Sequence, residues 1–132
     1  MQEHIQNELA SFIANCDWEK IAPHFKEDAA YRVLDWIGCA VAGEHYPQVE
    51  IAQKYFIENG DQGNSTVIGH QTKCSPRTAA FLNGIAGHVC ELDDGHRTAI
   101  GHPGSIAVPT ALALGEHLNA RGADGVKAVI LG

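Results

Sequence analysis

The stretch Ser75-Pro76-Arg77-Thr78-Ala79-Ala80-Phe81-Leu82-Asn83-Gly84-Ile85-Ala86-Gly87-His88-Val89-Cys90 decides the fold. Ser75 ahead of Pro76 is an N-cap residue followed by a first-turn proline, whose fixed φ suits a helix start and whose missing N–H costs nothing there. Ala79, Ala80, Leu82, Ile85, Ala86, Val89 and Cys90 then recur at helical spacing. So much apolar surface predicts a buried helix, and a buried helix needs other helices around it.

The flanking segments supply them. Upstream, residues 26–43 put Ala30, Val33, Leu34, Ile37 and Val41 on a broad apolar face, with Asp28 early and Gly43 as a stop. Gly38, Ala40, Ala42 and Gly43 allow another backbone to come close, as tight helix packing requires. Leu9, Phe12, Ile13 and Cys16 predict a shorter helix near residues 3–15, closed before Pro23. Val49, Ile51, Ala52, Tyr55, Phe56 and Ile57 predict one after Pro47, ending at Asn59 and Gly60. Between Gly60 and Ser75 the composition turns to glycine, Asn64 and Ser65, with a brief Thr66-Val67-Ile68 run that reads as one short strand or extended segment in a connection. Downstream, Pro103 is again a first-turn proline. Ile106, Ala107, Ala111, Leu112, Leu114 and Leu118 predict a fifth helix ending between Asn119 and Gly122, and a sixth begins at Asp124. The expected class is all-α, about six helices with one short extended segment.

The last helix reaches Gly132 after few residues, and helices below roughly 12 residues are marginal without partners. Val126, Val129, Ile130 and Leu131 need cover, so the chain is expected to be part of a longer protein or to be completed by another chain.

Composition narrows the function. The 132 residues are 45% apolar and carry 16 acids against 9 Lys and Arg, a formal charge of −7. That suits one globular domain or a piece of one, and it argues against nucleic acid, because no basic stretch is available to release counterions. No apolar run approaches the roughly 20 residues of a membrane span, and residues 1–14 have acids and amides where a signal peptide would be basic and then apolar. No membrane partner and a cytoplasmic or organelle-matrix location are expected. Cys16, Cys39, Cys74 and Cys90 form no CxxC pair and read as reduced, mostly buried thiols.

The densest ionisable stretch lies between the fourth and fifth helices: His88, Glu91, Asp93, Asp94, His96, Arg97 and His102. Crowded carboxyls repel and neighbouring imidazoles are drawn toward the charged form, a mixture that can give and take protons near neutral pH. The plain alternative is a solvated acidic loop. His102 stands out because the following proline disfavours the helical region for it and presents its ring just before a helix begins. The amides of Gly104, Ser105 and Ile106 at that helix start could dock a substrate carboxylate. A metal site is a third reading, since His88, Glu91, Asp93, Asp94, His96 and His102 are suitable ligand types, although their spacing matches no HExxH or facial-triad pattern. No GxSxG, Cys-His, GxGxxG or GxxxxGK[ST] arrangement occurs.

Four ordered segments carry a family resemblance: residues 35–43 (Asp-Trp-Ile-Gly-Cys-Ala-Val-Ala-Gly), residues 75–84, His88 through Asp94, and Gly101-His102-Pro103-Gly104. Together they resemble the MmgE/PrpD family, which includes 2-methylcitrate dehydratase, cis-aconitate decarboxylase and iminodisuccinate epimerase. The resemblance covers nearly everything after residue 25. It implies residues 1–132 as the N-terminal portion of a helical domain, with the rest of that domain and a smaller α/β lid domain absent. It also implies a homodimer in the full-length form and chemistry that uses no metal or organic cofactor on a small carboxylic acid. By resemblance His102 is the active-site histidine and Asp93 and Asp94 belong to the family's acidic run, which makes these three the catalytic candidates. Glu91, His96, Gly104 and Ser105 are the candidates for substrate binding. Family members commonly carry Asp where Glu91 stands and Thr where Gly95 stands, and Gly95-His96-Arg97 in their place points to a different substrate. The shared demand of dehydration, decarboxylation and epimerisation is a carbanion or enolate-like centre beside a carboxylate, met by a positioned acid/base pair and fixed positive dipoles.

Overall fold

The structure, a computed structural model, describes residues 2–132. Among the described residues there are six α-helices: α1 (Gln2–Asn15), α2 (Pro23–Gly43), α3 (Pro47–Glu58), α4 (Pro76–His88), α5 (Gly104–His117) and α6 (Gly122–Leu131). A 3-10 turn at Trp18–Lys20 joins α1 to α2. Two two-residue strands, β1 (Ser65–Thr66) and β2 (Lys73–Cys74), pair antiparallel with Ser65 opposite Cys74. The expected all-α class holds.

The helix α4 is the hub. It packs against α2 on one side and α5 on another, with α3 beside it, while α6 closes against α5 and α2. Ser75 caps it as expected, its hydroxyl accepting from the Thr78 N–H at 3.4 Å. Thr78, Ala79, Leu82, Asn83, Ala86 and Gly87 are buried along one broad stripe. One core cluster joins Trp36, Ala40, Val49, Ala86 and Val108; a second joins Val67, Cys74, Ala79, Leu82 and Ala113. At Gly87 a Cβ would fall 2.5 Å from the Trp36 indole, so glycine is what lets the ring approach α4 this closely.

The extended segment differs from the expectation. Pairing falls at Ser65–Thr66, one position earlier, and recruits Lys73–Cys74 as a partner strand. The pair is held from outside: Asn83 donates to the Thr66 carbonyl at 2.9 Å and accepts from the Ile68 N–H at 2.8 Å, and Ser65 donates to the Ala113 carbonyl at 2.7 Å. Two-residue strands have too few hydrogen bonds to stand alone, and these side chains replace the missing ladder.

The buried stripe of α2 is also rotated from the expected one. Ala29, Trp36, Cys39, Ala40 and Gly43 are buried, whereas Leu34 and Val41 face outward. Close packing against α4 selects the small residues and the single indole over the larger aliphatic row. At the far end α6 begins at Gly122, two residues before Asp124, because that carboxylate reaches back to the Arg121 N–H and caps the helix from its first turn. No α-helix among the described residues is long and apolar enough to cross a membrane. All four cysteines are free, with Cys39 and Cys74 buried.

Candidate active site

The polar segment between α4 and α5 folds back on itself. The helix α4 ends at His88, two residues short of the expected Cys90, and Glu91 takes a left-handed φ of 51° that reverses the chain. The reversal carries Asp93 under the end of α4, where its carboxylate is completely buried. Such a group must find partners or give up its charge.

Asp93 finds three. The Ser105 hydroxyl, on the first turn of α5, donates to Oδ2 at 2.5 Å. His88 Nδ1 lies 3.1 Å from Oδ1 and 3.3 Å from Oδ2. His102 Nδ1 lies 3.3 Å from the same Oδ1. The two imidazoles sit 4.7 Å apart, tilted by 59°. Burial pushes the Asp93 pKa up, but the hydrogen bonds from Ser105 and His88 and the nearby His88 charge outweigh it and hold the carboxyl below its ordinary value. Asp93 is thus an ionised carboxylate inside the protein, able to orient imidazoles and to stabilise positive charge on them.

Behind Ser105 stands Trp36, whose indole N–H donates to the serine oxygen at 3.2 Å. With the serine oxygen occupied as an acceptor, its single proton is directed to Asp93. The site is therefore anchored in the α2–α4 core. His88 was read from sequence as part of the ionisable run and as a metal-ligand type but not as a catalytic residue, and no sequence signal pointed to Trp36 as a hydrogen-bond donor.

Asp94 does a different task. Its Oδ1 accepts from the Gly104 N–H at 3.0 Å, and its Oδ2 lies 3.7 Å from Arg32 on α2. A Cβ on residue 104 would strike the same carboxylate, so Gly104 allows the contact. The helix-start amide expected to receive a substrate carboxylate is given to the protein's own Asp94, and the Ser105 hydroxyl to Asp93. Favourable interaction of a carboxylate with a helix N-terminus is satisfied internally.

Glu91 and His96 lie elsewhere. Both are exposed, and His96 Nδ1 accepts from the Ala99 N–H at 3.0 Å while its backbone pairs with Gly101. Among the described residues neither side chain forms a hydrogen bond or ion pair with the Asp93 cluster. Glu91 sits in the reversal after α4, its N–H donating to the His88 carbonyl, and His96 belongs to the local turn of residues 96–101 that leads into His102.

His88 and His102, with side chains 45% and 38% exposed, open onto a cleft of about 540 Å³. Phe81, Gly84 and Ile85 of α4 and Ser105, Ile106 and Pro109 of α5 line it. The order from solvent inward is cleft, imidazole pair, buried carboxylate, serine, indole. Geometry of this kind lets an imidazole exchange a proton with a molecule in the cleft while the carboxylate behind fixes its orientation.

Residues 7–132 match the MmgE/PrpD N-terminal domain. This chain belongs to the MmgE/PrpD family. Within that family it is 31% identical over 113 residues to a cis-aconitate decarboxylase-like protein of Aspergillus oryzae, across 86% of this chain and 23% of that protein. It is 33% identical over 87 residues to the cis-aconitate decarboxylase of Homo sapiens, across 65% of this chain and 18% of that enzyme. The chain thus spans a minor part of the length of these MmgE/PrpD relatives.

Proposed function

We propose that this chain is the N-terminal part of the helical domain of a lyase or isomerase of the 2-methylcitrate dehydratase type, working on small di- or tricarboxylic acids by acid/base chemistry that needs no metal or organic cofactor. The observation that carries this reading is the buried, ionised Asp93 facing two imidazoles that open to one cleft. The names of the two relatives support a carboxylic acid as substrate.

In this reading His102 takes a proton from, or returns one to, a carbon next to a substrate carboxylate. Asp93, 3.3 Å from His102 Nδ1, stabilises the imidazolium that forms by its charge. His88 shares the negative charge of Asp93 and is the second proton carrier at the cleft. Asp94 acts by fixing the start of α5 through Gly104, so its role is positioning, and Ser105 acts through Asp93. The resemblance supports a homodimer for the full-length form.

The test is turnover of cis-aconitate and 2-methylcitrate by the full-length enzyme. His102→Ala is expected to lower it by about 10²–10⁴-fold, the usual contribution of a positioned proton carrier. Retention of most turnover would remove the assignment.

A second reading, that residues 1–132 alone are a structural or dimerisation portion without turnover, is favoured by α1. Leu9, Phe12 and Ile13, the row that defined this helix in the sequence, lie on the surface, a pattern suited to burial against further protein. Assaying the 132-residue chain on the same two acids separates the readings.

A further inference from the structure

We propose that His88, Asp93 and His102 together bind one divalent transition-metal ion of the zinc type, which closes the site to proton transfer. The three side chains each offer a ligand atom, and these atoms lie within 4.8 Å of one another. Zinc takes nitrogen and carboxylate oxygen at about 2.0–2.2 Å in a tetrahedron, whose edges are then about 3.3–3.6 Å. The two edges that meet at Asp93 Oδ1 are 3.1 Å to His88 Nδ1 and 3.3 Å to His102 Nδ1. Both are near that length before any ion is bound.

A second observation points the same way. His102 Nδ1 is buried and, among the described residues, has no hydrogen-bond partner. It lies 3.3 Å from Asp93 but out of line for a hydrogen bond to it. An unpaired buried nitrogen is costly, and a cation at the meeting point of the three atoms satisfies it together with the carboxylate. Ser105 supports the same geometry from behind: by bonding Oδ2 it leaves Oδ1 as the oxygen turned to the imidazoles, the outer-shell arrangement that orients metal-ligating carboxylates. Water or a carboxylate ligand would complete the tetrahedron as the fourth ligand. Ion binding displaces the proton between His88 and Asp93, because both must present lone pairs to the metal.

The inhibitory consequence rests on the proton-transfer role proposed above; the binding itself does not. Equilibrium dialysis of the protein against zinc chloride, and separately against cobalt chloride, is expected to give one ion per chain at micromolar concentration. The cobalt form should show the intense visible absorption of four-coordinate cobalt. His88→Gln and His102→Ala should each weaken binding by about tenfold to a hundredfold, at least the loss seen when outer-shell partners are removed, while His96→Ala should leave it unchanged. Zinc added to the wild-type protein should move the imidazole NMR signals of His88 and His102, a readout that needs no variant to fold. Failure to retain one ion, equal retention by both ligand variants, or movement of other histidine signals instead would overturn the site. Full turnover by His102→Ala, with one zinc ion bound by the wild-type protein and weaker binding by that variant, would overturn the acid/base reading and leave the metal site standing.

Discussion

Ser105 donates its hydroxyl proton to Asp93 at 2.5 Å, and this bond ties the candidate site to the core of the domain. The serine can do so in one orientation because the Trp36 N–H occupies its oxygen. A residue from the α2–α4 packing thereby sets the environment of a carboxylate at the cleft.

Trp36→Phe tests that link. It removes the N–H together with part of the buried bicyclic ring, so the unfolding free energy should fall by about 1.5–3 kcal/mol, the lost hydrogen bond and the small cavity together. Trp36→Ala also empties the pocket over Gly87 and should cost about 3–5 kcal/mol. Urea denaturation of the two variants measures both values, and equal losses would show that the hydrogen bond, not the packing, dominates.

Gly87→Ala should destabilise by about 1–3 kcal/mol, the usual cost of overpacking a filled core. The added methyl meets the indole ring at 2.5 Å, and a rigid ring over a helix has little room to yield. Thermal unfolding monitored by circular dichroism reads this directly; an unchanged midpoint would mean that Trp36 is more mobile than its burial implies.

Asn83→Ala removes both bonds that Asn83 makes to the segment carrying β1 and leaves the Ile68 N–H without its acceptor. A loss of about 1–3 kcal/mol is expected for an unsatisfied partly buried group. Hydrogen exchange at Ile68 should accelerate more than at Leu82, which lies in the middle of α4.

Acid should weaken the fold in part through Asp93. Its folded-state pKa is lowered, chiefly because hydrogen bonds from Ser105 and His88 outweigh the opposing effect of burial. A depressed folded value means that the stabilisation is complete above the unfolded pKa, about 3.9, and is lost as pH falls through that value toward the folded one. Asp61 and Glu116 are lowered too, by bonds to Thr78 and Ser75 and to Thr66. Asp93→Asn should therefore shallow the fall in urea midpoint between about pH 5 and pH 3 without abolishing it. An identical slope would place the acid response elsewhere.

Much of the fold was legible in the sequence because helix starts carry local signals. Ser75-Pro76 and the repeat after it located α4, and the glycine and asparagine after residue 58 located the end of α3. Rotation of the α2 stripe was not legible, since Leu34 and Val41 are as apolar as the residues that pack. The choice was made by the shape of α4 and its Gly87 notch. The second strand was missed because Lys73-Cys74 has no alternating pattern, and the strand it pairs with is placed by side-chain bonds from Asn83 and from Ser65 to the helices. In the site, His102 beside Pro103 and the Asp93-Asp94 pair could be read from the chain. The division of labour between those two acids could not, because it depends on Glu91 reversing the backbone and on Gly104 and Ser105 meeting different carboxylates.

The most direct test of the proton-transfer account is deuterium uptake by a bound acid that the full-length enzyme processes, followed by NMR in D₂O. The wild-type enzyme should exchange the proton next to the substrate carboxylate, and His102→Gln should slow that exchange by about 10²-fold or more. Exchange at the wild-type rate in His102→Gln would contradict the central claim that this imidazole, backed by Asp93, carries the proton.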